Sequence, residues 1–290
     1  MSDFLHDDHS SPQRSTRTAP SPSALHSSTG SLRNVMSEVE DDWVAEDFRL
    51  TPDARRNRDD ERARALDDDR RLTLRAWRRR DATPAEAARG DAIWRCGREL
   101  ANVVYDVRPR GRVLEIGAGC SGFPGRAAAR RPGVVKVTML DCEPSAVLAL
   151  RRALDHDRRH NADVVEAREI TAEVFDVRNA CKTREIEPKA CYDTILAADV
   201  LYDEDWETAE GLFRFVSVML ARERDEEGRE PTFYLAYAHR AAANFVPMLA
   251  VEYGLAFARS RKANAVVDDD ASEDDRAEIE IGEFVRAPRE

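Results

Sequence analysis

Arg112-Val113-Leu114-Glu115-Ile116 runs straight into Gly117-Ala118-Gly119-Cys120-Ser121-Gly122, and no other stretch constrains the fold as tightly. The apolar run predicts a buried strand. The glycines behind it predict a sharp turn into a helix, because glycine takes left-handed backbone with no Cβ penalty. That helix is expected to continue through Arg130. Downstream the alternation repeats, with strands predicted at Val134–Leu140, Asp163–Ile170, Asp193–Ala198, Thr232–Ala236, Gly254–Ala258 and Ala277–Val285. Helices are predicted at Pro144–Arg159, Thr208–Ala221 and Ala241–Glu252. Strands alternating with helices make a mostly parallel, twisted sheet covered on both faces, an α/β doubly wound fold of Rossmann-like type. In such sheets ligands sit beyond the carboxyl ends of the strands, at the point where the strand order switches.

Ahead of this region the composition changes. Residues 1–40 are rich in Ser, Pro, Thr and His with almost no apolar periodicity, which predicts a disordered tail. Ser10–Ser37 lacks acids and contains several Arg, as an organelle transit peptide does, but Asp3, Asp7 and Asp8 argue against import. Residues 41–82 alternate acids with Arg, and Leu66, Leu72, Leu74 and Trp77 supply only a thin apolar stripe. That pattern predicts a solvated charged helix or a linker. Thr83-Pro84-Ala85-Glu86 has the form of a capping box with proline at the first helical position. It opens a helix expected to reach about Tyr105, with Ile93, Leu100 and Val104 on one side. The expected organisation is a tail and linker over 1–82 and one domain over 83–290.

The net charge is −11, whereas nucleic-acid binders usually present a basic face, so the balance favours a basic or neutral partner over a nucleic acid. No run approaches the roughly 20 apolar residues of a membrane span, which predicts a soluble chain; the expected place is the cytoplasm or nucleus, with organelle import as the minor alternative. Cys96, Cys120, Cys142, Cys181 and Cys191 show no CxxC spacing and read as reduced, mostly buried thiols. His156 and His160 stand at helical spacing without a third ligand, so no metal site is expected.

Gly117-Ala118-Gly119-Cys120-Ser121-Gly122 also satisfies the G-x-G-x-x-G pattern of dinucleotide sites, so NAD must be weighed as a ligand. Asp141 ends the second predicted strand, placed to accept the hydroxyls of a ribose, which suits any adenosine-containing cofactor. Glu115 stands just before the glycines, and the resulting E-x-G-x-G resembles the signature of seven-strand methyltransferases.

Tyr192-Asp193-Thr194-Ile195-Leu196-Ala197-Ala198-Asp199-Val200-Leu201-Tyr202 resembles the corresponding segment of methyltransferase family 16, the lysine-methyltransferase-like group, whose Asp-x-x-Tyr here is Asp199 to Tyr202. Ile93-Trp94 fits the tryptophan that the family places in the helix before its glycine strand. The resemblance covers about residues 90–290 and implies S-adenosylmethionine as cofactor. It implies that Glu115 belongs to the cofactor site, that Gly117, Ala118 and Gly119 run along the methionine moiety, Asp141 holds the ribose, Ala198 touches the cofactor through its backbone and Trp94 closes one side; Trp94 as simple core is the alternative. Asp199 and Tyr202 would orient the methyl acceptor, a lysine of a basic protein, with structural roles for both as the alternative. A small-molecule or RNA acceptor, or a silent cofactor-binding domain, would use the same fold. The family commonly has Leu-x-Trp after its third strand; Ile170-Thr171-Ala172 stands there instead, with Phe175 nearby as a substitute. The acidic run Asp268–Asp275 is expected at the substrate entrance, steering a basic segment inward, with a solvated loop that has no partner as the alternative. The expected state is a monomer.

Overall fold

Val113 and Leu114 point to opposite faces of one strand, and both are fully buried, as a central strand covered on each side requires. The computed structural model describes residues 43–51, 73–80, 90, 92–179, 191–201, 206–238, 244–263 and 278–288. These lie within the compact unit Asp42–Glu290. Two strands, β1 (Trp43–Arg49) and β2 (Thr73–Arg79), precede the main sheet as an antiparallel pair. The main sheet contains β3 (Gly111–Ile116), β4 (Val134–Asp141), β5 (Glu169–Val174), β6 (Thr194–Ala198), β7 (Thr232–Ala238), β8 (Leu255–Ala263) and β9 (Ile279–Arg286). Its order is β5-β4-β3-β6-β7-β9-β8, parallel except for β9, which runs against both β7 and β8. The doubly wound reading of the sequence is therefore the observed fold.

Helices cover both faces. Leu212, Phe213 and Val216 of α4 (Trp206–Met219) and Leu249 of α5 (Val246–Glu252) pack on Leu114, Ile195 and Leu235. Leu100 and Val104 of α1 (Arg95–Val107) and Val147 and Leu150 of α3 (Pro144–His160) pack on Val113, Val137 and Leu196. Between them, α2 (Phe123–Ala129) is buried along its whole length.

Residues 41–82 do not follow the helix-or-linker expectation where they are described. The apolar residues that matter have period 2: Phe48, Leu74 and Ala76 face inward and, with Leu50, close a cluster with Ala101, Tyr105, Phe123 and Ala127. The acid–Arg alternation becomes cross-strand pairing, with Arg75 Nε 2.7 Å from Asp47 and Arg78 paired with Glu46. The packed unit thus begins ahead of residue 83. Leu66 and the Thr83–Glu86 capping box lie outside the described residues.

A second correction concerns the third strand of the main sheet. It spans Glu169–Val174 and not Asp163–Ile170, because Val164 is buried beside the turn after α3 while Val137 and Thr138 pair with Ile170 and Thr171. Ile170-Thr171-Ala172 are consequently strand residues, and the residues that follow the strand are Phe175 and Asp176.

Candidate functional site

Because β3 to β7 are parallel, their carboxyl ends bring the glycine loop, Asp141, Phe175 and Asp199 to one edge of the sheet. Gly117 and Gly119 have φ of +67° and +59°, and added Cβ atoms there would meet Val200 and the Gly90 carbonyl. The loop is therefore clasped between the exit of β6 and the segment leading into α1. Cys120 N–H donates to Gly90 O at 2.8 Å, and Ala118 N–H donates to Leu140 O at 3.0 Å.

Asp141 is nearly buried at the end of β4. Its carboxylate accepts the Gly119 N–H at 2.7 Å on one oxygen and the Glu143 N–H at 2.9 Å on the other. These bonds fix the side chain against the loop, and a carboxylate is the acceptor that a vicinal diol requires.

Glu115 sits elsewhere. It is 2 % exposed and turned under α2, where its carboxylate accepts the Gly125 N–H at 2.8 Å. A Cβ on Gly125 would stand 2.5 Å from that oxygen, so this glycine exists to let the helix approach the acid. Burial pushes the Glu115 carboxyl up to about 8; the Gly125 bond pulls it down, the Asp141 charge adds to the rise and Arg126 opposes it.

Asp199 has φ +54°, a left-handed backbone that side chains adopt at a cost, and its N–H donates to Ala236 O at 2.9 Å. Such outliers concentrate at functional sites. Ala198 pairs with Ala236 in the sheet register and is half-buried. Trp94 precedes α1 in extended backbone and is half-buried. Tyr202 and the acidic run lie outside the described residues. β8 nevertheless runs parallel to β7 and ends level with Ala238, so it exits at the carboxyl edge.

Phe175 leaves β5 with its N–H donating to Asp141 O at 2.8 Å, and its ring stacks on Phe215 with centroids 4.8 Å apart. A Cβ on Gly211 would lie 2.6 Å from Val177 O, so the loop after β5 presses onto α4. Glycine inside a helix was the sequence signal for this contact. Gly90 also approaches the loop: at φ +102° it lies against Gly119, and a Cβ there would stand 3.5 Å from Asp141 Oδ1. Cys142 is exposed, contrary to the buried-thiol reading, while Cys96 and Cys120 are buried. A cavity of about 600 Å³, bounded by Gly111, Thr194 and Thr232, lies at the opposite, amino edge of the strands and is separate from this site.

The strand order, the glycine loop and the acid at the end of β4 define a seven-strand S-adenosylmethionine-dependent methyltransferase. The chain belongs to the lysine methyltransferase family, which matches residues 93–249. No curated protein is similar enough in sequence to count as a match. Among solved structures, a chain of the complex containing the Haloferax volcanii Trm112 methyltransferase activator is 17 % identical, with 73 % of this chain and 98 % of that one covered and a TM-score of 0.48. PH1948 of Pyrococcus horikoshii, assigned as an RNA methyltransferase, is 14 % identical over 71 % and 86 %, with a TM-score of 0.46. The ribosomal protein L11 methylase of Lactobacillus delbrueckii subsp. bulgaricus is 15 % identical over 66 % and 78 %, with a TM-score of 0.44. Among the described residues, no helix is long and apolar enough to cross a membrane.

Proposed function

We propose that this methyltransferase acts on a lysine side chain within a basic protein segment. The observation that carries the reading is Asp199, held in left-handed backbone at the end of β6 while the next residue, Val200, packs against Gly117 of the loop. One short segment thus couples an acid at the acceptor side to the cofactor loop. The family's description and the chain's net charge of −11 support a cationic acceptor.

In this reading Gly117, Ala118 and Gly119 line the methionine moiety, Asp141 holds the ribose hydroxyls, Ala198 contributes backbone and Trp94 closes one side. Glu115 works at one remove, seating α2 and hence the loop. S-adenosylmethionine, when bound, supplies a methyl group on a positively charged sulfur that a neutral nucleophile can attack. The acceptor Nζ must therefore lose its proton to solvent, and desolvation at a closed edge favours that neutral amine. Asp199 accepts a hydrogen bond from the amine and so aims its lone pair. Tyr202, assigned by resemblance, adds a second orienting group. The chain's share of the rate is chiefly alignment.

Calorimetry tests the cofactor half of this assignment. S-adenosylmethionine is expected to bind and NAD is not. Asp141→Ala should weaken that binding by about 1.5–3 kcal/mol, the value of charge-assisted hydrogen bonds to a buried acid. Binding of NAD alone, or an Asp141→Ala protein with undiminished affinity, would refute it.

A further inference from the structure

Beyond Asp199 the rim of the site carries an aromatic pair. β6 and β7 are neighbouring parallel strands, and the helices that follow them, α4 and α5, return along the same face of the sheet. Their first turns therefore stand side by side at the carboxyl edge. There the rings of Trp206 and Phe245 meet edge to face, with centroids 5.2 Å apart and planes at 85°. Trp206 is 39 % exposed, so a large indole stays in contact with water.

This indole is nevertheless held in place. Its Nε1–H donates to Glu210 Oε2 at 3.2 Å, and the other oxygen of Glu210 accepts the Tyr253 hydroxyl at 2.9 Å. Phe245 and Tyr253 are themselves packed against the core cluster beneath. An exposed tryptophan, oriented by one ring and one carboxylate, has little rotamer freedom left to lose when something binds it. Glu207, next in the chain, is exposed and adds negative charge to the same first turn. An exposed indole with a carboxylate at its edge attracts a cation with an apolar stem and gives little to an anion.

We propose that Trp206, oriented by Phe245 and Glu210, is a specificity platform that receives a basic side chain flanking the lysine to be methylated. The proposal deepens the protein-lysine reading and rests on it for the identity of the acceptor. It assigns the protein partner a local sequence feature, a Lys or Arg beside the target, and it assigns Trp206 no part in methyl transfer itself.

The test uses the full chain with S-adenosylmethionine and two fluorescein-labelled synthetic peptides, in which one lysine is flanked by arginine or by serine. Anisotropy should show the arginine-flanked peptide binding about two- to fivefold more tightly, the range of an exposed cation–π contact. Trp206→Ala should remove that difference, Trp206→Phe should keep part of it, and Glu210→Gln should reduce it. Equal binding of the two peptides by the unaltered chain, or a preference that survives Trp206→Ala, would overturn the proposal. Methyl incorporation measured in parallel separates the two ideas. Trp206-dependent binding with no label in lysine means that the platform stands and the lysine reading fails. Label in lysine with no dependence on Trp206 means the reverse.

Discussion

Asp199 and Glu115 are both acids beside the glycine loop, yet the structure gives them opposite environments. Asp199 sits at φ +54°, where a Cβ costs on the order of 1 kcal/mol. Asp199→Gly should therefore leave stability unchanged or raise it by about 1 kcal/mol in thermal melts, while methyl transfer falls by roughly a hundredfold or more. A large loss of stability would show that Asp199 serves the fold. Glu115, fully buried with its carboxyl raised to about 8, is favoured in the neutral form. Below the unfolded value near 4.5 its contribution to stability is fully present, and it is lost as pH rises through about 8. Glu115→Gln, which keeps the acceptor for Gly125, should match the parent's melting temperature near pH 5 and exceed it at pH 8–9. The same offset at every pH would contradict the buried neutral acid. Sequence spacing marked both residues, but it could not tell which acid faces the site, since that depends on Gly125 bringing α2 down onto Glu115.

Strands and helices were legible where the apolar period was long, and illegible where packing partners are distant in sequence. α3 and β4 follow their predicted ranges within a residue or so. The β1–β2 pair did not announce itself, because its inward residues are few and become a core only against Phe123 and Tyr105. That pair is tied to α2 by more than apolar contact. Arg130 donates to Thr73 O at 2.6 Å, and Asp157 of α3 bridges Arg126 at 2.8 Å and Arg130 at 3.0 Å, all three charges being buried. Burial lowers the Arg130 guanidinium to about 10, with Asp157 pulling the other way. Burial would raise the Asp157 carboxyl, but the two guanidiniums outweigh it and hold it low. Asp157→Ala would leave two buried cations without their shared partner and should cost about 3–5 kcal/mol in denaturant unfolding. A cost under about 1 kcal/mol would mean that the cluster is solvated.

At the scale of the whole molecule, alternation of strand and helix from Gly111 onward was enough to place the glycine loop, Asp141 and Asp199 on one edge, because parallel strands align their carboxyl ends. The strand order itself was not written in any local pattern. What the sequence left out were close approaches between remote segments, such as Gly90 against the loop and Gly211 against Val177. The acceptor is the property on which the whole account turns, and labelling measures it directly. A cell lysate would be incubated with the full chain and S-adenosylmethionine tritiated on the methyl group, then split between protease and nuclease treatment, with the protein fraction hydrolysed to amino acids. The account predicts nuclease-resistant, protease-sensitive label recovered as methyllysine and absent with Asp199→Asn. Label that nuclease releases, label in small molecules, or label retained by Asp199→Asn would contradict it.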